Sequence, residues 1–241
     1  MPNSTKLVIL FCFLIIIFIL FYINAFRMKW RKILSSLLSP LPQKIPSHIK
    51  PNHITVISFF IFLTVGLFVY LTKYSYFFFI GAILSMLLFG ASDSLDGLLA
   101  RTRNQTTKCG SFLDQTLDKI GWLFLLFSLI LGELVRADLV VVAMLLSLFY
   151  SFINFQAEAL VSNRFPETDR PRWFIITIAF CLIGFFIKLM GLETFTLGAQ
   201  EVHLFDLIFS LLPIYLFVTI LLRTISLWKI LNKLDQEKQM R

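Results

Sequence analysis

Seven stretches of this chain are apolar for long enough to cross a lipid bilayer, and they constrain the fold more than any other feature. A spanning helix needs about 20 mainly apolar residues. The stretches are 7–26, 54–72, 75–100, 110–132, 139–160, 173–190 and 204–227. Because backbone groups in hydrocarbon must be hydrogen-bonded within their own segment, we predict an all-α, polytopic transmembrane helical bundle.

Composition supports a membrane protein. The 241 residues are 58% hydrophobic, include 28 Phe and have a mean hydropathy of +0.83. A soluble domain of this length needs a more polar surface, so that class is excluded. The first stretch is followed by Arg27, Lys29, Arg31 and Lys32, where a signal peptide would have small residues at a cleavage site. We therefore predict that 7–26 is retained as a helix.

The positive charges, which give a formal net charge of +8, alternate between loops. Lys and Arg collect in the segments 27–50, 101–109, 161–172 and 229–241, whereas the intervening loops hold few. Since basic loops stay in the cytoplasm, the N-terminus is predicted outside and the 101–109 loop inside. The charges are spread over short loops and termini, so no nucleic-acid partner is predicted.

The same pattern predicts the domain organisation. Residues 1–26 form an N-terminal transmembrane helix, and 27–50 form an amphipathic juxtamembrane segment that lies at the interface. Pro40, Pro42 and Pro46 end that amphipathic helix. Residues 51–228 form the core, and 229–241 form a basic cytoplasmic tail.

Four aspartates stand in or beside the apolar stretches, at positions 93, 96, 114 and 118. An ionised carboxylate at bilayer depth costs roughly 2.5–3.5 kcal/mol, so a counter-charge is required. Asp93 and Asp96 share one helix face, and Asp114 and Asp118 share a face of the next helix. The short connecting loop makes the two helices antiparallel neighbours. All four carboxylates are therefore predicted to converge near the cytoplasmic end.

The residue types around these acids indicate which cation they bind. His and Cys are absent from the cluster, which argues against zinc or copper. Oxygen ligands favour Mg²⁺ or Mn²⁺, and two divalent cations would balance four carboxylates. Two close metals suit phosphoryl transfer. The alternative, simple pairing with Arg101 and Arg103 at a helix end, explains less well why four acids recur at helical spacing beside Gly97 and Gly110.

The motif resembles the signature of a known family. It runs from Asp93 to Asp118 as Asp-x-x-Asp-Gly-x-x-Ala-Arg, eight residues and Gly-x-x-x-Asp-x-x-x-Asp. This matches the CDP-alcohol phosphatidyltransferase signature at every fixed position. The resemblance extends over the helical layout from about residue 51 to 227. It implies a six-helix family core, to which the helix 7–26 is an addition.

The resemblance implies a two-metal transferase of phospholipid synthesis. Asp93, Asp96 and Asp114 would be metal ligands, and Asp118 would lie at the metals and act as general base. A CDP-linked lipid, usually CDP-diacylglycerol, would bind with its diphosphate on the metals. The hydroxyl of a polar alcohol would attack the lipid-side phosphorus and release CMP. The family also implies a homodimer.

Five further residues occupy positions that the family uses on the nucleotide side. Gly97 would let the nucleotide approach the backbone, and Arg101 and Thr107 occupy nucleotide-contact positions. Asn52 and Thr55 precede or begin the first core helix and would face the cytidine. For these two, helix capping is the alternative.

The acceptor is less well defined by sequence. Family members that use a phosphorylated acceptor often carry an Arg where this chain has Gln156, although the Ala-Glu that follows is kept. Arg164, Arg170 and Arg172 are candidates to bind an acceptor phosphate; their alternative is loop charge that sets topology. Glycerol 3-phosphate, inositol, inositol phosphate and similar polar alcohols all stay open.

Three other functions are compatible with parts of this pattern. A CDP-choline or CDP-ethanolamine phosphotransferase, with a lipid acceptor, carries the same signature. A divalent-cation transporter would use intramembrane acids as a transit site, but typically on several helices and with repeats. An inactive family member with a scaffolding role would not need the intact motif.

Overall fold

The computed structural model describes residues 36–161, 170–197 and 200–239. Over these residues the chain is helical apart from one β-hairpin. The predicted helix 7–26, and the first part of the predicted amphipathic segment, lie outside the described residues. The helices and strands, in chain order, are α1 (Leu41–Lys44), α2 (Pro51–Leu71), α3 (Phe78–Thr102), α4 (Lys108–Leu131), α5 (Ala137–Leu160), α6 (Arg170–Leu189), β1 (Thr194–Leu197), β2 (Gln200–His203) and α7 (Leu204–Gln239).

The prediction of an all-α membrane fold is confirmed. Four described helices, α2, α3, α5 and α7, are long and apolar enough to cross a membrane, and α6 contains the shorter apolar stretch Trp173–Leu189. Helix α4 has 24 residues, but its first half carries Lys108, Asp114, Asp118 and Lys119. The protein is therefore an integral membrane protein.

The six predicted stretches between 54 and 227 coincide with helices α2 to α7. Their ends differ from the structure by no more than three residues, except that α7 continues to Gln239 through most of the predicted tail. Within the described part of the amphipathic segment, residues 36–38 are helical and α1 is a single turn. Its proline content accounts for the shortness, since proline cannot donate the hydrogen bonds of a helix interior.

Two compact units make up the described chain. The first includes α2, α3, most of α4 and most of α6. Phe62 of α2 is one of its fully buried large side chains, with no exposed surface. The Phe62 ring stacks on Phe89 of α3, with centroids 4.3 Å apart, and meets Trp122 of α4 edge-on at 5.6 Å. Gly121 makes this approach possible, because a Cβ there would lie 2.3 Å from the Phe62 ring.

The second unit includes α5, the hairpin and α7. The strands β1 and β2 pair antiparallel, with Thr194 opposite His203, in a segment that the sequence pattern indicated as a loop. Asp206, in the first turn of α7, accepts a hydrogen bond from the backbone N–H of Arg136 at 2.8 Å. Because Arg136 immediately precedes α5, this bond ties the beginnings of α5 and α7 together.

Candidate functional site

Three of the four motif aspartates form a cluster in the first unit. One carboxylate oxygen each of Asp93, Asp114 and Asp118 lies within 4.8 Å of the others. Asp93 comes from the C-terminal half of α3, and the other two come from successive turns at the start of α4. All three are half-buried. The turn at 103–107 folds α4 back on α3, which brings acids from two helices to one place.

Asp96 has a different environment. Its carboxyl is buried, and its Oδ2 accepts a hydrogen bond of 2.7 Å from the Thr55 hydroxyl of α2. The same hydroxyl is 3.3 Å from the Pro51 carbonyl, and its single hydrogen favours the closer acceptor, the Asp96 carboxyl. Thr55 therefore contacts a motif acid instead of capping α2, whose N-cap is Lys50. A carboxylate has a second oxygen, so this bond leaves Asp96 able to bind a cation as well.

Asn52 and Thr107 both lie close to Gly110. The Thr107 hydroxyl accepts a hydrogen bond of 3.0 Å from the Gly110 backbone N–H and so caps the first turn of α4. A Cβ on Gly110 would lie 3.0 Å from Asn52 Oδ1 and 3.1 Å from Thr107 Oγ1. Glycine at 110 thus permits a close approach of α2 and α4. Both polar side chains are exposed and available to a ligand at this point.

Gly97 and Arg101 are neighbours on α3, one turn apart. The Arg101 side chain is exposed, and its Nη1 atom is 3.4 Å from where a Cβ of Gly97 would be. The absent side chain at Gly97 leaves room for the guanidinium beside the helix. A permanent positive charge therefore lies five residues after Asp96 on the same helix.

Arg103 is a residue that the sequence reasoning missed. It was interpreted as a loop charge, yet its guanidinium donates to backbone carbonyls in the segment before α2. The bond to the Ile49 carbonyl is 2.8 Å, a second goes to Ile45, and the carbonyls of Pro42 and Pro46 lie at 3.4 Å. The signal in the sequence was weak: a proline-rich segment lacks N–H donors, so its carbonyls need donors from elsewhere.

The predicted acceptor residues are described only in part. Gln156 lies on α5 with an exposed side chain. Arg170 and Arg172 begin α6, but their side chains are outside the described set, and Arg164 lies outside the described residues.

A polar pair in the second unit was also missed. Arg223 of α7 donates from Nε to Asn154 Oδ1 at 3.1 Å, and Asn154 donates to the Tyr150 carbonyl at 3.0 Å. Both side chains are half-buried. The sequence signal was available, because an arginine within an apolar stretch of spanning length is costly unless it has a function or a partner.

The acidic cluster fits a hard divalent cation. Three carboxylates within a few ångströms repel one another, and a cation among them relieves that repulsion. Carboxylate oxygens are the ligands that Mg²⁺ and Mn²⁺ prefer. Asp93, Asp114 and Asp118 are close enough to share a cation, and Asp96, held by Thr55, is the next acid along α3.

Comparison with known proteins identifies the family of this chain. A sequence model of the CDP-alcohol phosphatidyltransferase family matches residues 48–228. The archaetidylinositol phosphate synthase of Pyrococcus horikoshii is 36% identical over 110 residues, which are 46% of this chain. The match covers 56% of the Pyrococcus protein, a little more than half of its length. An uncharacterized protein of Aquifex aeolicus is 31% identical over 173 residues, covering 68% of this chain and 83% of its own.

A solved structure shares the fold. The crystal structure of the Mycobacterium tuberculosis phosphatidylinositol phosphate synthase, with CDP-DAG bound, superposes with a TM-score of 0.58. The likeness covers 82% of this chain and 94% of that one, at 20% sequence identity.

Proposed function

Because this chain belongs to the CDP-alcohol phosphatidyltransferase family, we propose that it is a membrane transferase of phospholipid synthesis. It transfers a phosphatidyl-type group from a CDP-linked lipid to the hydroxyl of a polar alcohol and releases CMP. The observation that carries the proposal is the cluster of Asp93, Asp114 and Asp118, whose carboxylate oxygens lie within 4.8 Å of one another. A diphosphate substrate needs its charge neutralised, and this cluster is built to hold the cations that do so.

The four aspartates share one role in this proposal, and Asp118 has a second. Asp93, Asp96, Asp114 and Asp118 hold two divalent cations, Mg²⁺ or Mn²⁺. When bound, the cations neutralise the diphosphate and stabilise the charge that develops on the departing CMP. Asp118 also removes the proton from the acceptor hydroxyl while the hydroxyl oxygen attacks the lipid-side phosphorus.

The nucleotide side is formed by residues from three segments. Asn52, Gly110 and Thr107 are adjacent, and Arg101 lies beside Gly97. Asn52 and Thr107 offer exposed polar atoms for the cytidine and ribose, and Arg101 offers a guanidinium for the phosphates. Thr55 acts on this side by holding the carboxyl of Asp96.

The substrates are proposed from the relatives. CDP-diacylglycerol, or a CDP-linked archaeal-type lipid, is the donor, and a phosphorylated polyol such as inositol phosphate is the preferred acceptor. A phosphorylated acceptor is supported by the names of the relatives, an archaetidylinositol phosphate synthase and a phosphatidylinositol phosphate synthase. Gln156 and the arginines at 164, 170 and 172 are the remaining acceptor candidates.

The proposed organisation follows the loop charges and the family. Residues 51–228 form the catalytic core, the N-terminus lies outside and the aspartates face the cytoplasm, where the soluble acceptor and CMP are found. The enzyme is proposed to act as a homodimer in the inner membrane.

The function is tested with purified protein in detergent or nanodiscs. CDP-diacylglycerol and Mn²⁺ are supplied with one acceptor at a time, namely inositol phosphate, inositol, glycerol 3-phosphate or serine, and CMP release is measured. We expect CMP and a new phospholipid with at least one acceptor. If the protein instead forms product from CDP-choline or CDP-ethanolamine and diacylglycerol, the nucleotide substrate is the soluble one and the lipid is the acceptor. That result would favour the CDP-choline or CDP-ethanolamine phosphotransferase. Ion flux into proteoliposomes without any CDP-lipid would favour the transporter.

Metal removal gives the first specific prediction. EDTA should abolish CMP release, and an excess of Mg²⁺ or Mn²⁺ should restore it, because the carboxylates alone would repel the diphosphate. Zn²⁺ is expected to restore less activity, since the site offers no nitrogen or sulfur ligands. Turnover that persists in EDTA would contradict the two-metal assignment.

A further inference from the structure

Arg103 connects two parts of the first unit that are far apart in sequence. It follows the end of α3, and its guanidinium donates to carbonyls of the segment 42–49, more than 50 residues earlier. The Ile49 carbonyl accepts at 2.8 Å, and the Ile45 carbonyl also accepts. The side chain is half-buried, so these bonds are partly shielded from water.

The carbonyls that Arg103 contacts are ones that need a donor. Ile45 caps the C-terminal end of α1, where the last carbonyls of a helix lack partners and carry partial negative charge. In the next turn the Ile49 N–H donates to the Pro46 carbonyl, and the Ile49 carbonyl takes its hydrogen bond from Arg103. The planar guanidinium has five N–H donors in a fixed fork, so it can bind several carbonyls at once. A lysine has no such fork.

The segment held by Arg103 leads directly into the nucleotide side of the site. Ile49 is followed by Lys50, the N-cap of α2, and then by Pro51, which is buried. Asn52 and Thr55 are in the first turns of α2. Their positions beside Gly110 and on Asp96 therefore depend on where α2 begins.

We propose that Arg103 is a positioning residue for the CDP-linked substrate. Its bonds to the carbonyls of 42–49 hold the beginning of α2 against the end of α3, so that Asn52 lies beside Gly110 and Thr55 holds Asp96. Arg103 does this without contacting the reacting atoms. The inference rests on the proposed function, because the residues that Arg103 positions are those proposed to bind the nucleotide of the CDP-linked substrate.

Two other roles for Arg103 make different predictions. If it served only as a positive charge that attracts an anionic substrate, lysine would replace it. If it served only the stability of the fold, its loss would reduce the amount of active protein and leave the Michaelis constant of the remainder unchanged. The positioning role requires the forked guanidinium of arginine, and its loss should weaken binding of the nucleotide.

The test compares Arg103→Lys and Arg103→Gln with the matched controls Arg136→Lys and Arg136→Gln. Arg136 is exposed and pairs with Asp138 in the second unit. Folded protein is quantified by size exclusion and thermal unfolding. The KM for the CDP-linked lipid, the KM for the acceptor and kcat are then measured. Binding of CDP with Mn²⁺ is followed by calorimetry, which requires no turnover.

We expect both Arg103 variants to raise the KM for the CDP-linked lipid and the Kd for CDP by about tenfold, as the loss of charged hydrogen bonds would. The acceptor KM and kcat should change by less than about twofold, and both Arg136 variants should match the wild type. Wild-type affinity in Arg103→Lys would overturn the proposal, as would an unchanged KM with a lower kcat. Failure of both Arg103 variants to fold would assign a structural role and also overturn it.

Failure of the underlying function is distinguishable from failure of this inference. If the wild-type protein neither releases CMP nor binds CDP, the proposed function falls, and the role of Arg103 falls with it. If the wild-type protein does both and Arg103→Lys is indistinguishable from it, only the positioning role is lost.

Discussion

At the scale of single residues, the chemistry of the site depends on carboxylates with unequal surroundings. Asp93, Asp114 and Asp118 cluster with half-buried side chains, whereas Asp96 is buried and hydrogen-bonded to Thr55. The Asp96 carboxyl is held in one position by the Thr55 hydroxyl, which suits a metal ligand. The Asp118 carboxylate is half-buried, so it is better placed to take a proton from an incoming acceptor hydroxyl.

Substitution of Asp118 by asparagine tests the base assignment. Asn keeps the shape and an oxygen ligand but cannot accept a proton, so turnover should fall by at least about 10²-fold. Binding of CDP with Mn²⁺, measured by calorimetry, should partly survive. The control is Asp138→Asn, an exposed acid in the second unit. Full activity in Asp118→Asn would refute the role of Asp118 as base.

At the scale of secondary-structure elements, α2, α3 and α4 are held together by an aromatic contact that requires a glycine. Phe62 of α2 is fully enclosed between Phe89 of α3 and Trp122 of α4. Its ring lies against Gly121, which is itself buried. Since α3 and α4 carry the aspartates and α2 carries Thr55, this packing sets the distances between the site residues.

The variant Gly121→Ala measures how tightly this contact is packed. Alanine favours a helix over glycine by about 1 kcal/mol, but its Cβ would lie 2.3 Å from the Phe62 ring, and a fully enclosed ring has little room to move. We expect overpacking to dominate, with a net destabilisation of about 1–3 kcal/mol and a lower midpoint of thermal unfolding in detergent. Adding Phe62→Leu, which removes the ring, should recover part of the loss. A Gly121→Ala protein as stable as the wild type would show that the contact is loose.

At the scale of the whole molecule, the described helices establish an integral membrane protein, and the loop charges predict which end of it faces the cytoplasm. Arg101 at the end of α3 and Lys108 at the start of α4 are exposed basic side chains on either side of the motif loop, and Cys109 is exposed as well. Cys181 of α6 is buried. This difference makes one native thiol a probe of orientation.

Labelling with a membrane-impermeant maleimide tests the orientation. In a Cys12→Ser background, Cys109 should react in inverted inner-membrane vesicles and stay unlabelled in sealed, right-side-out vesicles, because the basic loop is predicted in the cytoplasm. Cys109→Ser should abolish the labelling and so identify the reactive thiol. Labelling in right-side-out vesicles alone would reverse the proposed topology and move the aspartates to the opposite face.

The sequence by itself determined the helices between residues 51 and 227, the acids that share a helix face, and the family. These features are local: a membrane helix satisfies its backbone hydrogen bonds within one segment, and helical spacing decides which side chains share a face. The predicted preference for Mg²⁺ or Mn²⁺ likewise rests on residue types alone.

Only the tertiary structure decided which distant residues meet. Thr55 bonds to Asp96 across 41 positions, Arg103 bonds to the carbonyls before α2, and Gly121 makes room for Phe62. From the sequence we expect helix capping or nucleotide contact for Thr55 and a loop charge for Arg103. Neither residue type indicates by itself that the side chain has a partner distant in sequence. Such contacts depend on how helices pack and on which buried polar groups still lack a donor or an acceptor. Those conditions exist only once the chain has folded.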